Sequence, residues 1–427
     1  MMTSHHPPAG RASRRAFLRL AGLASASGAL LAACADVGPA VLATPAPLPT
    51  APAQTAPAQP AGGRDRPLRI GLVATLSGAY AAAGAQMRDG LALYLDQVGR
   101  SAGGRRIDVV LADETDDPSV GLRRIRKLVE EDRVDVVTGI VHTATAYAAR
   151  DYLHAAGRIA VIAGATGNEI TRSLRSPAIF RTSASVWQNS APAGEWAARA
   201  LGKRCYVVVP ETLAGHEAAD AFGASFRAAG GRVLDVLLPK PDSIDYGPFL
   251  PRIAAARPDV VFCSFAGADA VTFTQQYQLF GLRGDVPLLG TGEYVDEGLL
   301  AAEGGAALGA RGALPWAWSL NTPANRTLIA DFAGRYGRGP DTYVVQQYDA
   351  ARCIVEAVDR VDGDTSDRDG LVRALEASQM VTPRGPLRFD PASHNPIQNV
   401  YLREVRDLGG ALHNVVVATF EDVRDPG

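Results

Sequence analysis

Two short segments of this chain place hydroxyl residues where a helix would begin just after an apolar run. His142-Thr143-Ala144-Thr145 follows Ile140 and Val141, and Gly164-Ala165-Thr166-Gly167-Asn168 follows Ile162 and Ala163. A hydroxyl beside the unpaired amide hydrogens of a helix start makes a site for a carboxylate, because the first turn leaves backbone donors free and the dipole is positive there. The same residue types also serve as ordinary N-caps, and each segment by itself fits both roles.

Other chemistry is thinly represented. His142, His154, His216, His394 and His413 are scattered, and His216-Glu217-Ala218-Ala219-Asp220 lacks the second histidine that a zinc peptidase helix needs four residues on. There is no Gly-x-Ser-x-Gly elbow, no phosphate-cradling Gly-x-x-x-x-Gly-Lys-Ser/Thr, and no Gly-x-Gly-x-x-Gly after the first strand. Asp113, Glu114, Asp116 and Asp117 form a dense acidic cluster closed by Pro118. It reads as a solvated strand-end loop, with a cation site as the alternative. No metal and no cofactor is implied, and the chain does not read as an enzyme.

The elements that must position the hydroxyls follow from the apolar pattern. Leu68 to Leu76 and Ile107 to Ala112 read as strands, with Met87, Leu91, Leu95 and Val98 at helical spacing between them. Val134 to Val141, Ile159 to Gly164, Cys205 to Pro210, Val233 to Leu238, Val260 to Phe265 and Pro287 to Gly290 continue the alternation. Short Val/Ile/Leu-rich strands separated by helices mean parallel sheets buried on both faces. Two such series, before and after about Ser185, predict an α/β fold with two doubly wound parallel-sheet lobes. In such sheets ligands bind outside the carboxyl ends of the strands, which puts both hydroxyl segments at the crevice.

The first 34 residues say where this would work. Ser13-Arg14-Arg15-Ala16-Phe17-Leu18, an Ala/Gly/Leu stretch too short to span a bilayer, and Leu31-Ala32-Ala33-Cys34 together fit a twin-arginine-like signal ending in a lipoprotein cysteine. Pro39 to about Gly63 is almost wholly Pro, Ala, Thr and Gln, which reads as an extended tether or as an export remnant. Among the 427 residues, 43 Lys and Arg stand against 45 Asp and Glu, so no electrostatic footprint for nucleic acid is present. Cys205, Cys263 and Cys353 are far apart and odd in number, which favours buried thiols over a disulfide framework.

Taken in order, Leu68 to Gly78, Gly84, Gly90, Asp113 to Pro118, Gly164 to Asn168, Gln347 to Ala351 and Pro383 to Asp390 resemble the branched-chain amino acid binding family, the type I periplasmic solute-binding proteins of ABC importers. The resemblance runs from about Leu68 to Val405. It implies two lobes joined by a three-strand hinge, with crossings near Arg181–Ser185, Ala313–Trp318 and Thr382–Leu387. The implied division is 1–33 signal peptide, 34–66 lipidated Cys34 and tether, 67–184 plus 314–383 first lobe, and 185–313 plus 384–424 second lobe.

By the same resemblance Thr143, with Ala144 beside it, and the pair Ala165 and Thr166 would hold a solute carboxylate. The tyrosines that hold an amino acid's ammonium group are replaced here by Ala214 and by Ala266 or Gly267, while Glu293 stands one residue from the family's acidic position. That departure would suit a larger or less polar carboxylate, such as an aromatic acid, at least as well as a branched-chain or other amino acid, with Tyr80, Trp187, Phe265 and Tyr294 as candidate walls. The implied partners are a carboxylate-bearing solute, an ABC permease and the membrane through the lipid anchor. A solute sensor for a signalling partner and an exported enzyme on a similar fold are the alternatives.

Overall fold

The computed structural model describes residues 66–427. Cys34, the segment read as a signal peptide and most of the segment read as a tether lie outside the described residues.

The first sheet holds β1 (Leu68–Ala74), β2 (Ser101–Ala102), β3 (Arg105–Asp113), β4 (Val136–Gly139), β5 (Ala160–Ile162) and β6 (Ile179–Arg181), in the order β2-β3-β1-β4-β5-β6. Its long strands are parallel, and only the short β2 runs antiparallel. Strands β4, β5 and β6, and β1 beyond Arg69, are buried throughout because both faces are covered, whereas β3 alternates buried and exposed positions. Leu68, Ile70, Leu72 and Ala74 point to one core, while Val73 points to the other. Gly71 lies on the second face, where an added Cβ would already meet Leu128 and Val134 at 3.1–3.2 Å. That face carries α2 (Pro118–Glu130) and α3 (Thr143–Ala156); the first carries α1 (Ala81–Gln97).

The chain then leaves this lobe. Ser185 caps α4 (Val186–Ala200) in a full capping box with Gln188, and the second sheet begins. Its parallel part is β7 (Arg204–Val208), β8 (Arg232–Leu237), β9 (Val260–Cys263), β10 (Leu288–Thr291) and β11 (Arg311–Leu314). α4 and α5 (Leu213–Ala228) cover one face; α6 (Leu250–Ala256) and α7 (Gly267–Leu279) cover the other, and the short α8 (Leu300–Glu303) follows.

After β11 the chain returns to the first lobe as α9 (Pro323–Tyr336), α10 (Thr342–Arg360) and α11 (Arg368–Glu376). It ends in an antiparallel extension of the second sheet: β12 (Gln379–Thr382), β13 (Gly385–Phe389), β14 (Pro396–Asp407) and β15 (Leu412–Val423). The expectation of two parallel-sheet lobes holds for the strands it used. The antiparallel ribbon is an addition that the apolar pattern did not reveal, because Gln398 and Arg403 are buried within it. The β12–β13 hairpin is bonded to the second sheet by backbone, yet Met380, Leu387 and Phe389 pack into the first lobe's core. Fully buried Arg384 locks that junction through Asp349 (2.7 Å) and Gln398 (2.8 Å). Cys205, Cys263 and Cys353 are buried and free.

Candidate functional site

Residues of both lobes converge on one cleft cavity of about 220 Å³ at the carboxyl ends of the parallel strands. Three helices begin there without a side-chain cap. Tyr80 before α1, His142 before α3 and Ala266 before α7 give no capping hydrogen bond, and all three line the cavity. By contrast, α2, α4, α5, α9, α10 and α11 are capped by Asp117, Ser185, Thr212, Thr322, Asp341 and Asp367. An uncapped start leaves amide donors for something other than the protein.

On the first lobe's side, Thr143 Oγ1 accepts the Gly167 amide at 3.1 Å, so its own proton is available to donate into the cavity. A Cβ at Gly167 would sit 2.4 Å from the Thr143 methyl and the Tyr147 hydroxyl, so any larger residue there would displace both side chains. Beneath this loop, fully buried Arg181 donates to the carbonyls of Gly167 (2.6 Å) and Thr166 (3.0 Å), and burial pushes its guanidinium down to about 10. Below α3, Glu114 accepts the Val141 amide at 2.6 Å and the Thr75 hydroxyl at 3.2 Å. Burial outweighs those bonds and lifts its carboxyl to about 7.

His142 meets the Tyr80 ring edge-on at 4.9 Å, and its Nε2 lies 3.1 Å from Asp116. Burial lowers its pKa despite that carboxylate, so the ring is held toward its neutral form.

The second lobe supplies Phe265 and a polar cluster. Ser264 and Thr291 share a hydroxyl hydrogen bond of 3.0 Å, and Asn189 Nδ2 donates to Glu293 Oε1 at 2.9 Å. Burial raises the Glu293 carboxyl, partly offset by Thr291, Arg403 and Asn189. Asn189 Oδ1 and Glu293 Oε2 are buried with no aligned partner. Asp269 also lines the cavity, its carboxyl raised by burial against the bond it accepts from the Asp242 amide at 3.0 Å, and among the described residues no Lys or Arg does.

Tyr80, Thr143, Ala144, Thr166, Phe265 and Glu293 therefore meet in one cleft, with Ala214 and Ala266 as small lining residues. Ala165 is a correction: its methyl lies in the first lobe's core, and what it offers its neighbours is a carbonyl that accepts the Ser183 hydroxyl at 2.7 Å. Tyr294 is likewise a core residue whose hydroxyl donates to the Arg311 carbonyl at 2.9 Å, and Trp187 does not line the cavity. Sequence reasoning gave no role here to Tyr343 of α10, Asn189 of α4 or Asp269 of α7. Only the alternation of helix and strand hinted that such starts meet. Among the described residues no group of His, Cys, Asp and Glu is placed to hold a metal, and no helix is long and apolar enough to cross a membrane.

Fold and site together define a two-lobed α/β binding protein with a solute-sized cleft between strand ends. A family model described as periplasmic binding protein matches residues 67–410, and the chain belongs to that family. It is 29% identical to Leu/Ile/Val-binding protein homolog 6 of Brucella suis over 367 residues, 84% of this chain and 93% of that protein. Among solved structures it resembles an ABC transporter substrate-binding protein from Sphaerobacter thermophilus (TM-score 0.80, 34% identity, 84% and 98% of the two chains). It also resembles an R. palustris ABC transporter solute-binding protein in complex with benzoate (TM-score 0.78, 32% identity, 83% and 98%).

Proposed function

We propose that this protein is the extracytoplasmic capture component of an ABC importer, taking an aromatic carboxylate between its lobes and delivering it to a membrane permease. The observation that carries the reading is the set of uncapped helix starts around the cavity, with the Thr143 and Thr166 hydroxyls beside them. These suit an anion that brings its own acceptors, in a site where no lysine or arginine among the described residues lines the wall. Tyr80, Phe265 and Tyr343 suit a planar apolar body, and Ala214 and Ala266 leave room that tyrosines would fill. The unpaired acceptors on Asn189 and Glu293 suit a ring hydroxyl at the other end. The benzoate-bound relative supports the same class of solute. Closure removes the solute from water and strengthens each polar contact.

On this reading 67–184 plus 314–383 and 185–313 plus 384–424 are the moving bodies, and lipidated Cys34 with the Pro-rich segment moors them to the membrane. The test is a thermal-shift panel followed by calorimetry with benzoate, 4-hydroxybenzoate and leucine. The two aromatic acids should raise the melting temperature more than leucine does; the reverse order would return the protein to the amino acid binders. Cys34→Ser should leave a folded protein unlipidated and outside the membrane fraction, and a mutant still anchored would refute the mooring.

A further inference from the structure

Glu217 sits on α5 of the second lobe and does not line the cavity. Its carboxylate nevertheless reaches the first lobe. Oε1 accepts the Tyr147 hydroxyl of α3 at 2.7 Å, and Oε2 accepts the Asn168 amide at 2.6 Å. The Tyr147 hydroxyl is itself fixed by the Glu169 amide at 3.2 Å. Asn168 belongs to the loop whose Thr166 lines the cavity, and whose Thr166 and Gly167 carbonyls are held by buried Arg181. Among the described residues Arg181 makes no direct ion pair, and the carboxylates acting on it include Asp425 and Glu217.

The sequence offers the free amides of this helix start to a solute carboxylate; in the structure a carboxylate of the protein takes the one on Asn168. Both bonds join an atom of one lobe to an atom of the other, so opening the cleft breaks both. A charged acceptor with two donors is a strong contact, and it is made whatever the solute is.

We infer that Glu217 is a clasp outside the pocket, a positioning residue that sets the affinity for every solute by stabilising the closed form. The inference rests on the reading of the molecule as a clamp that closes. Apparent affinity scales with the fraction of protein in the competent form, so a clasp changes all dissociation constants by one factor.

The experiment compares wild type, Glu217→Ala and Tyr147→Phe. Calorimetry and stopped flow with benzoate and 4-hydroxybenzoate should show Glu217→Ala weakening both by the same factor, about tenfold or more, mostly through a faster off-rate. Tyr147→Phe, which keeps the charge and loses one bond, should give a smaller common factor and guards against a Glu217 variant that fails to fold. Melting of the solute-free protein below the wild-type value by more than a degree or two would mark a merely structural residue. An unchanged Kd, or a change in the ratio of the two acids, would overturn the clasp. If wild type binds neither acid, the solute reading fails and the clasp is judged without solute. Spin labels at Ala148→Cys and Asp220→Cys, both exposed, placed in a Cys34→Ser background, should then show a short-distance population that Glu217→Ala depletes, and an unaltered distribution overturns it.

Discussion

Thr143→Val is the sharpest test of how the anion is held. Valine keeps the shape and removes the hydroxyl, which accepts the Gly167 amide at 3.1 Å and has its proton free for the solute. A hydrogen bond to a charged acceptor is worth about 1.5–3 kcal/mol, which is about 10- to 150-fold in Kd at 1.4 kcal/mol per decade. The Gly167 amide also loses its acceptor, at about 1–3 kcal/mol of fold stability. Two readouts should therefore move together. Calorimetry with benzoate should show the loss of affinity, and melting of the solute-free protein should fall by several degrees. Thr143→Ser restores both contacts and should bind within a few-fold of wild type. If Thr143→Val melted lower yet bound every carboxylate as wild type does, Thr143 would be a loop fastener and the anion would be held elsewhere.

Burial without aligned partners lifts Glu303 to about 8, with both of its oxygens unpaired beside the Thr274 hydroxyl. A carboxyl raised above its unfolded value of 4.5 costs nothing below that pH, and progressively destabilises the fold as pH rises to about 8. Glu303→Gln should thus match wild type in denaturant melts at pH 4.5 and exceed it by roughly 4 kcal/mol at pH 8; a pH-independent difference would contradict the buried ionisation. Phe265, buried against Tyr246 and Phe273, should tolerate Phe265→Leu at a stability cost under about 1.5 kcal/mol. The lost ring contact should weaken aromatic acids by up to about tenfold, from roughly 0.5–1.5 kcal/mol, while leaving the response to leucine unchanged in the same calorimetry.

Much of the scaffold was legible because its strands are buried on both faces. Such strands must be apolar throughout, and that shows as runs such as Ile70–Ala74 and Val260–Cys263. β14 escaped because its interior positions hold Gln398 and Arg403, whose partners come from elsewhere in the chain: Arg384 for the first, the Trp316 and Gly292 carbonyls for the second. The site was legible at its strand ends, where Thr143 and Thr166 announce themselves by type. Ala165 misled because adjacency to Thr166 says nothing of which way a methyl points. Tyr343 could not be found from local pattern, since it opens α10 about 200 residues beyond Thr143 in the chain and reaches the cleft only when that helix returns to the first lobe. Glu217 looked like part of a broken metal motif and is instead a bridge between lobes.

By itself the sequence determined the alternation of strand and helix and the small hydroxyl-bearing residues that follow the strands, because both are set by local burial and by the short reach of a helix's first turn. Tertiary structure alone decided which helix starts stay uncapped at the cleft, which aromatic rings wall it, and that the Asn168 amide is already taken by Glu217. Those outcomes depend on atoms brought together from segments far apart in the chain. No local periodicity encodes such distances; the packing of two lobes around shared crossings does.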